Sequence, residues 1–103
     1  MARVEKFDLC VIGAGPAGIA AAEKGLALGR SVLVVEAVEM GGVALNWGAL
    51  PAIALAASAR RALDIRNAAE LGIGADDPRV NFSRLNAHIK AVIGEARSET
   101  SAE

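Results

Sequence analysis

The sequence is poor in aromatic residues, because only two of its 103 residues are Phe, one is Trp and none is Tyr. Since 53% of the chain is nonetheless hydrophobic, any core must be built mainly from Ala, Val, Leu and Ile. The chain also has a single cysteine, Cys10, which excludes an internal disulfide and is typical of proteins from a reducing compartment. We therefore expect a cytoplasmic protein.

An excess of charge of one sign is also missing. With 11 basic and 12 acidic residues the formal net charge is −1, which gives no electrostatic basis for nucleic-acid binding. Long apolar runs are absent too, because Gly or a charged residue interrupts each of them, so we expect no membrane-spanning segment. The first apolar run follows Glu5, Lys6 and Asp8 and does not resemble a secretory signal.

Two short apolar runs flank an Ala-rich segment near the start of the chain. The runs "FDLCVIG" and "SVLVVE" predict parallel strands at about 7–12 and 31–36, both buried on two faces. The segment "PAGIAAAEKGLALG" between them predicts a helix, with Pro16 in its first turn and Gly29 at its C-terminal end. This order predicts an α/β fold with a Rossmann-like, right-handed βαβ unit.

Two further helices are predicted after this unit. Residues 37–48 form a glycine-containing connection, and a helix follows at about 49–71. After a loop, Ser83 is expected to cap a helix at about 83–97, and the polar tail is expected to fray. Two strands leave both sheet edges unpaired. We therefore expect an incomplete domain over 1–103, which needs the rest of a larger protein or associates with itself through those edges.

The segment "GAGPAG" matches the G-x-G-x-x-G pattern and lies between the first predicted strand and helix. Gly13 permits the tight turn, Gly15 lets a pyrophosphate approach the backbone, and Gly18 allows close helix–sheet packing. Glu36, roughly twenty residues further on, can accept hydrogen bonds from both hydroxyls of an adenosine ribose, and its charge disfavours a 2′-phosphate. The pattern predicts an adenine dinucleotide site. Its loop comprises Gly13, Ala14, Gly15, Pro16, Ala17 and Gly18.

Together, "DLCVIGAGPAGIAAA", "VVE" and "GGVALNWGALPAIAL" resemble the N-terminal FAD-binding segment of the flavoprotein disulfide reductase (pyridine nucleotide-disulfide oxidoreductase) family, in its dihydrolipoamide dehydrogenase-like and mercuric reductase-like branches. The family motif is G-G-x-C-x-N-x-G-C-x-P-[ST]-K. It is matched here by Gly41, Gly42, Asn46, Gly48 and Pro51. The resemblance implies that FAD is the cofactor and that this is an incomplete FAD-binding domain. Beyond the glycine loop, the implied cofactor-binding residues are Glu36, Ala37, Gly42 and Val43.

The departures from the motif concern its reactive positions. The two redox cysteines of the family fall at Ala44 and Ala49, so dithiol–disulfide exchange is chemically impossible here. Ile53 replaces the lysine that the resemblance places near the flavin. The resemblance also implies nicotinamide and interface domains, which residues 1–103 do not include. We expect an FAD-binding part of a flavoprotein oxidoreductase that is not catalytically competent alone.

Two alternatives stay open from the sequence. One is a fragment of a transhydrogenase-like flavoenzyme that works without the cysteine pair, and the other is a truncated or engineered scaffold with no ligand. Isolated reactive residues do not decide between them. His88 is expected to be a surface or boundary residue, Cys10 a buried strand residue, and Trp47 either packs or lies near a cofactor.

Overall fold

The computed structural model describes residues 4–102, and its first half is a parallel βαβ unit. Strand β1 (Leu9–Ile12), helix α1 (Pro16–Ala27) and strand β2 (Val32–Val35) follow one another, and the two strands pair in parallel along their whole length. Pro16 begins α1, and Gly29 follows its last turn at a φ of +70°. The predicted Rossmann-like unit is therefore confirmed, with each strand slightly shorter than expected.

Three helices and one 3₁₀ turn follow the sheet. They are α2 (Gly42–Asn46), α3 (Ala49–Asn67), the 3₁₀ turn Ala68–Leu71 and α4 (Phe82–Ala102). The helix expected at 49–71 is thus α3 plus the 3₁₀ turn, and it ends at Gly72, whose φ is +76°. The connection 37–48 is not entirely irregular, because it includes the short helix α2, which was not predicted.

Helix α4 differs from its prediction at both ends. Its N-cap is Asn81 rather than Ser83, because the Asn81 Oδ1 accepts a hydrogen bond of 3.0 Å from the Arg84 N–H. At the other end α4 continues to Ala102 instead of stopping at 97, and the expectation of a frayed tail was wrong over the described residues. The hydroxyl of Thr100 donates to the Ala96 carbonyl, at 2.9 Å, so this polar side chain is accommodated within the helix.

The two-stranded sheet is covered on one face only. Helix α1 lies so close to this face that a Cβ on Gly25 would come within 2.9 Å of Val32 Cγ2 and 3.0 Å of Leu9 Cδ2. The opposite face carries Cys10, which is exposed, and Ile12, which is 88% exposed. The prediction of strands buried on both faces, and of a buried cysteine, was therefore wrong, because among the described residues no element packs on this second face.

A side-chain pair joins the beginnings of the two strands. The Ser31 N–H and hydroxyl each donate to Asp8 Oδ2 at 2.9 Å, and the Asp8 N–H donates to Ser31 Oγ at 2.9 Å. The Ser31 backbone N–H, and then its hydroxyl, hold the pKa of the Asp8 carboxyl below its usual value. The pair supplies backbone groups outside the short strand ladder with hydrogen-bond partners.

The described chain buries little of its apolar surface. Its apolar residues that are more than nine-tenths buried are Ala14, Ala22 and Ala54, and none of its large side chains is fully buried. Its radius of gyration is 20.4 Å, against about 13 Å for a compact chain of this length. Its accessible surface is 8059 Å², against about 5,400 Å² for a compact protein of 10.5 kDa. The molecule has the architecture of a partial domain.

One helical stretch meets a simple criterion for a membrane span. By length and composition alone, Gly42–Leu71 is long and apolar enough to cross a membrane, and little of it is buried within the described chain. The interrupted apolar runs had not indicated this. Helices of soluble proteins can pass the same test, and the stretch is broken between α2 and α3 at Gly48, where φ is −109° and ψ is −102°. A single stretch of this kind is weak evidence for a membrane.

The close approach of α1 to the loop before it predicts the effect of replacing Gly18. A Cβ at this position would lie 1.9 Å from the Gly13 carbonyl oxygen and 3.2 Å from Val11 Cγ1. Because a backbone oxygen cannot move aside cheaply, we expect Gly18→Ala to lower the free energy of unfolding by about 1–3 kcal/mol. Urea denaturation followed by circular dichroism measures this change.

Gly94 provides the matched control. It lies within α4, and a Cβ there would meet no atom within 4 Å. Gly94→Ala should therefore raise the free energy of unfolding by about 0.5–1 kcal/mol, as expected for removing glycine from a helix interior. Equal effects of the two substitutions would contradict the packing of α1 described above.

Candidate functional site

The loop between β1 and α1 forms a tight turn that ends at a helix N-terminus. Gly13 has a φ of +100°, and its N–H donates to the Val35 carbonyl at 2.7 Å, which ties the turn to the end of β2. The Ile19 N–H donates to the Gly15 carbonyl at 2.9 Å as the first bond of α1. The N–H groups of Ala17 and Gly18 precede this bond and lie at the positive end of the helix dipole, where anions bind favourably.

The space in front of this loop is open at Gly15. This residue has extended backbone, with φ −78° and ψ 179°, which any amino acid can adopt. A Cβ there would meet no atom of the chain within 4 Å, whereas a Cβ on Gly18 would collide with the loop. Neither backbone conformation nor packing within the chain accounts for glycine at position 15. A pyrophosphate can approach the backbone closely only where the space that a Cβ would occupy is free, as it is at Gly15.

The carboxylate of Glu36 lies beside the loop. Its Oε2 accepts a hydrogen bond of 2.8 Å from the Ala14 N–H, and its Oε1 accepts bonds of 2.8 and 3.0 Å from the N–H groups of Ala37 and Val38. The Ala14 N–H is the main cause that holds the pKa of the Glu36 carboxyl below its usual value, followed by the Val38 N–H. The side chain is therefore ionised at neutral pH and held against the loop.

The peptide group of Ala14 also anchors Gly41 and Gly42, which we call the double glycine. Its carbonyl oxygen accepts a hydrogen bond of 2.8 Å from the Gly41 N–H, while its N–H binds Glu36, and the residue is completely buried. Gly42 has a φ of +64°, and a Cβ there would lie 2.9 Å from Gly15 Cα. The double glycine thus lies directly against the glycine loop, because Gly42 has no side chain at the point of contact.

Most of the residues predicted to bind cofactor are brought together in this way. The loop 13–18, Glu36, Ala37 and Gly42 lie in one contiguous region, joined by the hydrogen bonds and close contacts described above. Val43 follows on α2 with its side chain 70% exposed. The arrangement places helix N–H groups, an open glycine and an ionised carboxylate side by side, at the ends of β1 and β2.

The positions of the missing cysteines lie on either side of the break between α2 and α3. Ala44 is half-buried on α2, and Ala49 is exposed at the first position of α3. The break is held by the Gly48 N–H, which donates to the Val43 carbonyl at 2.7 Å, and a Cβ on Gly48 would lie 3.1 Å from that oxygen. The glycine needed for this geometry is thus present, while neither flanking position carries a reactive group.

A family model for pyridine nucleotide-disulphide oxidoreductases matches residues 7–101. The chain belongs to this family. Among its relatives are dihydrolipoyl dehydrogenases, with 40% identity over 90 residues to the protein of Thermus scotoductus, 35% over 88 residues to that of Staphylococcus aureus, and 36% over 88 residues to that of Bacillus subtilis. These alignments cover 85–87% of the chain.

The chain spans about a fifth of these relatives, since each alignment covers 19% of the relative's length. It therefore corresponds to the N-terminal segment of the flavoproteins of this family, and the family uses FAD. The resemblance inferred from the motif is confirmed. With Cys10 as its single cysteine, in β1, the chain lacks the redox pair of the family.

One group of polar side chains in the site was not predicted as a unit. Asn46 is a motif residue and is only 6% exposed, but its partners Glu39 and Arg97 were not recognised. Arg97 lies 51 residues beyond Asn46 in sequence, on α4, and no local pattern relates the two. Only the packing of α4 beside α2 brings them together.

Other reactive residues lie away from the site. His88 is exposed on α4, which agrees with the surface position expected for it. Trp47 is 59% exposed, so it does not pack in a core of the described chain. No cluster of His, Cys, Asp or Glu suited to a metal ion occurs among residues 4–102.

Hydrogen bonds to Glu36 and Asp8 predict acid sensitivity of the folded chain. The folded-state pKa values of both carboxyls lie below their ordinary values of 4.5 and 3.8. The stability that they contribute is thus fully present above about pH 5 and is lost as the pH falls through the ordinary pKa values toward the lower folded ones. Urea midpoints measured between pH 3 and pH 7 should be level above pH 5 and decline below it.

Glu36→Gln separates the contribution of this carboxylate. The amide side chain cannot ionise, so the variant should show a smaller decline in the urea midpoint between pH 5 and pH 3, together with a lower midpoint at pH 7. Glu5→Gln is the control, because Glu5 is exposed and outside the site. A decline of the same size in Glu36→Gln and in the unaltered chain would contradict the assignment to Glu36.

Proposed function

We propose that the chain forms the adenosine-diphosphate half of the FAD site in a disulfide-reductase-like flavoprotein oxidoreductase. The N–H groups at the start of α1 receive the pyrophosphate, and Glu36 receives the ribose. FAD, when bound, supplies the redox chemistry. The chain supplies no dithiol, because Ala44 and Ala49 occupy the cysteine positions, and we expect it to be inactive by itself.

The observation that carries this proposal is the open space at Gly15. The other glycines of the fingerprint have reasons within the fold, since Gly13 has a positive φ and a Cβ on Gly18 would collide with the Gly13 carbonyl. Gly15 has neither, so a ligand that approaches the backbone explains it best. The ionised carboxylate at the edge of the same loop supports an adenosine ligand without a 2′-phosphate.

Glu36 limits how the ribose can bind. A carboxylate offers about four lone-pair sites that can accept hydrogen bonds. Three backbone N–H groups already occupy three of these sites on Glu36. One site is left for a ribose hydroxyl, so accepting both hydroxyls requires the release of one N–H. The Ala37 and Val38 bonds share one oxygen, so one of these two is the bond that we expect to yield.

The open sheet suggests what else the site needs. The uncovered face of β1 and β2 exposes Ile12 and Val35, at 88% and 47%. We infer that the remainder of a flavoprotein, or a second copy of the chain, covers this face and completes the domain, in the cytoplasm. An adenosine-diphosphate site supported by so few elements should bind ligand weakly, because little binding energy offsets the ordering that binding requires.

Substituting Gly15 tests the proposed ligand without disturbing the fold. Gly15→Ala should leave the urea midpoint unchanged or slightly raised, since its Cβ has free space. It should weaken binding of ADP and of FAD by about tenfold or more, because hydrogen bonds from the loop to the pyrophosphate lengthen or break. Isothermal titration calorimetry with ADP, and flavin fluorescence anisotropy with FAD, measure the change.

Gly74→Ala is the matched control, because Gly74 lies in a loop away from the site and a Cβ there also meets no atom within 4 Å. It should not change either affinity. If the unaltered chain binds neither ADP nor FAD, or if both substitutions weaken binding equally, the proposed site is wrong. Absence of any ligand binding would favour a scaffold without a ligand.

A second candidate is a fragment of a transhydrogenase-like flavoenzyme, which passes hydride between nicotinamides without a cysteine pair. It is favoured by the loss of the reactive side chains at Ala44 and Ala49 while Gly41, Gly42 and Gly48 keep the backbone geometry. Ile53, 63% exposed where the family has lysine, counts against it.

Hydride transfer measured on the chain itself tests its expected inactivity. The chain has a single glycine fingerprint, which FAD would occupy, so we expect no reduction of a nicotinamide analogue by NADPH above the rate with free FAD. The measurement is absorbance of the reduced analogue with FAD and chain at equal concentration. A rate well above that of free FAD, lost in Gly15→Ala, would refute the inactivity of the chain and favour the second candidate.

A further inference from the structure

Three polar side chains from different elements meet beside the double glycine, and we call Glu39, Asn46 and Arg97 the Arg97 cluster. The Arg97 Nε and Nη2 donate to Asn46 Oδ1 at 3.1 and 2.6 Å. The Arg97 Nη1 also lies 3.0 Å from Glu39 Oε2. The guanidinium thus joins α4 to α2 and to the segment before α2.

Within the Arg97 cluster the side-chain amide of Asn46 is fully used. Its Nδ2 donates to the carbonyls of Met40 and Gly42 at 3.0 and 2.9 Å, and its Oδ1 accepts the two bonds from Arg97. An amide has two donors and two acceptor sites, so none is left over. Because Arg97 has donors only, it requires the amide oxygen to face α4 and the amide nitrogen to face the two carbonyls.

Those two carbonyls belong to the residues on either side of Gly41. The Gly41 N–H donates to the Ala14 carbonyl at 2.8 Å, and Gly42 lies against Gly15. A chain of direct contacts therefore runs from Arg97 through Asn46 to the double glycine and on to the glycine loop. Glu39, half-exposed, holds the guanidinium from the opposite side.

We propose that Arg97 is a positioning residue for the glycine loop. It acts through Asn46 to hold the double glycine against Ala14 and Gly15. Whether this matters for FAD rests on the proposed function, but the positioning itself does not. Without Arg97 the buried Asn46 oxygen loses its partners, the amide is held only by its two Nδ2 hydrogen bonds, and the double glycine opens more often from the loop.

Amide hydrogen exchange of Gly41 tests the positioning directly. In Arg97→Ala, we expect its exchange to quicken on the order of tenfold or more relative to the unaltered chain, as loss of partners for a buried polar group implies. Exchange of the β1–β2 ladder amides, such as Leu33, should change much less, because they do not depend on α4. NMR-detected exchange on the full chain resolves both sets of amides.

Three further variants make the test specific. Lys90→Ala removes the same charge from an exposed position of α4 and should not change Gly41 exchange. Arg97→Lys keeps a cation near Glu39 but cannot present two donors to Asn46 Oδ1, so its effect should be intermediate. In an Asn46→Ala background, Arg97→Ala should add less than about twofold, because Arg97 acts through the amide.

The outcomes separate this inference from the proposed function. Equal quickening of Gly41 and of the ladder amides would show a merely global role for Arg97 and would overturn the proposal, as would an unprotected Gly41 amide in the unaltered chain. If Gly41 responds as expected but the unaltered chain binds neither ADP nor FAD, the positioning stands and the cofactor assignment fails. If ligand binds, its affinity should fall in Arg97→Ala and not in Lys90→Ala.

Discussion

The candidate site depends on one buried peptide group, that of Ala14. Its N–H is bound to the Glu36 carboxylate and its carbonyl to the Gly41 N–H, so three separate segments are held at one residue with no exposed surface. A structure with so small a core can hold a defined site here because short backbone hydrogen bonds, rather than packed side chains, provide the order.

The two glycine motifs meet at one contact. Gly42 lies against Gly15, so the family motif after β2 and the fingerprint after β1 are two sides of one contact. This explains how the chain can keep its backbone framework while the positions of redox chemistry carry Ala44 and Ala49. Alanine has at least as high a helix propensity as cysteine, so the loss of reactivity requires no change in the contacts that hold the loop.

The partial domain explains where sequence-based expectation was correct and where it was not. The βαβ unit and the Gly72 helix end were predictable, because each follows from short-range preferences for strand, helix and left-handed turn. Burial of Cys10 on the second sheet face was wrongly expected, since apolar strands in a complete parallel sheet are covered twice. The capping of α4 at Asn81 instead of Ser83 lies within the ordinary ambiguity of adjacent capping residues.

Residue types at fixed spacing are enough to establish the fingerprint, the family and the absence of dithiol chemistry. The bond from the Ala14 N–H to Glu36, the open space at Gly15 and the meeting of Arg97 with Asn46 are visible only in the folded chain. Contacts between residues tens of positions apart leave no periodic or local pattern in the sequence, because they form only when helices and strands pack, and the space in front of a glycine likewise depends on what packs around it.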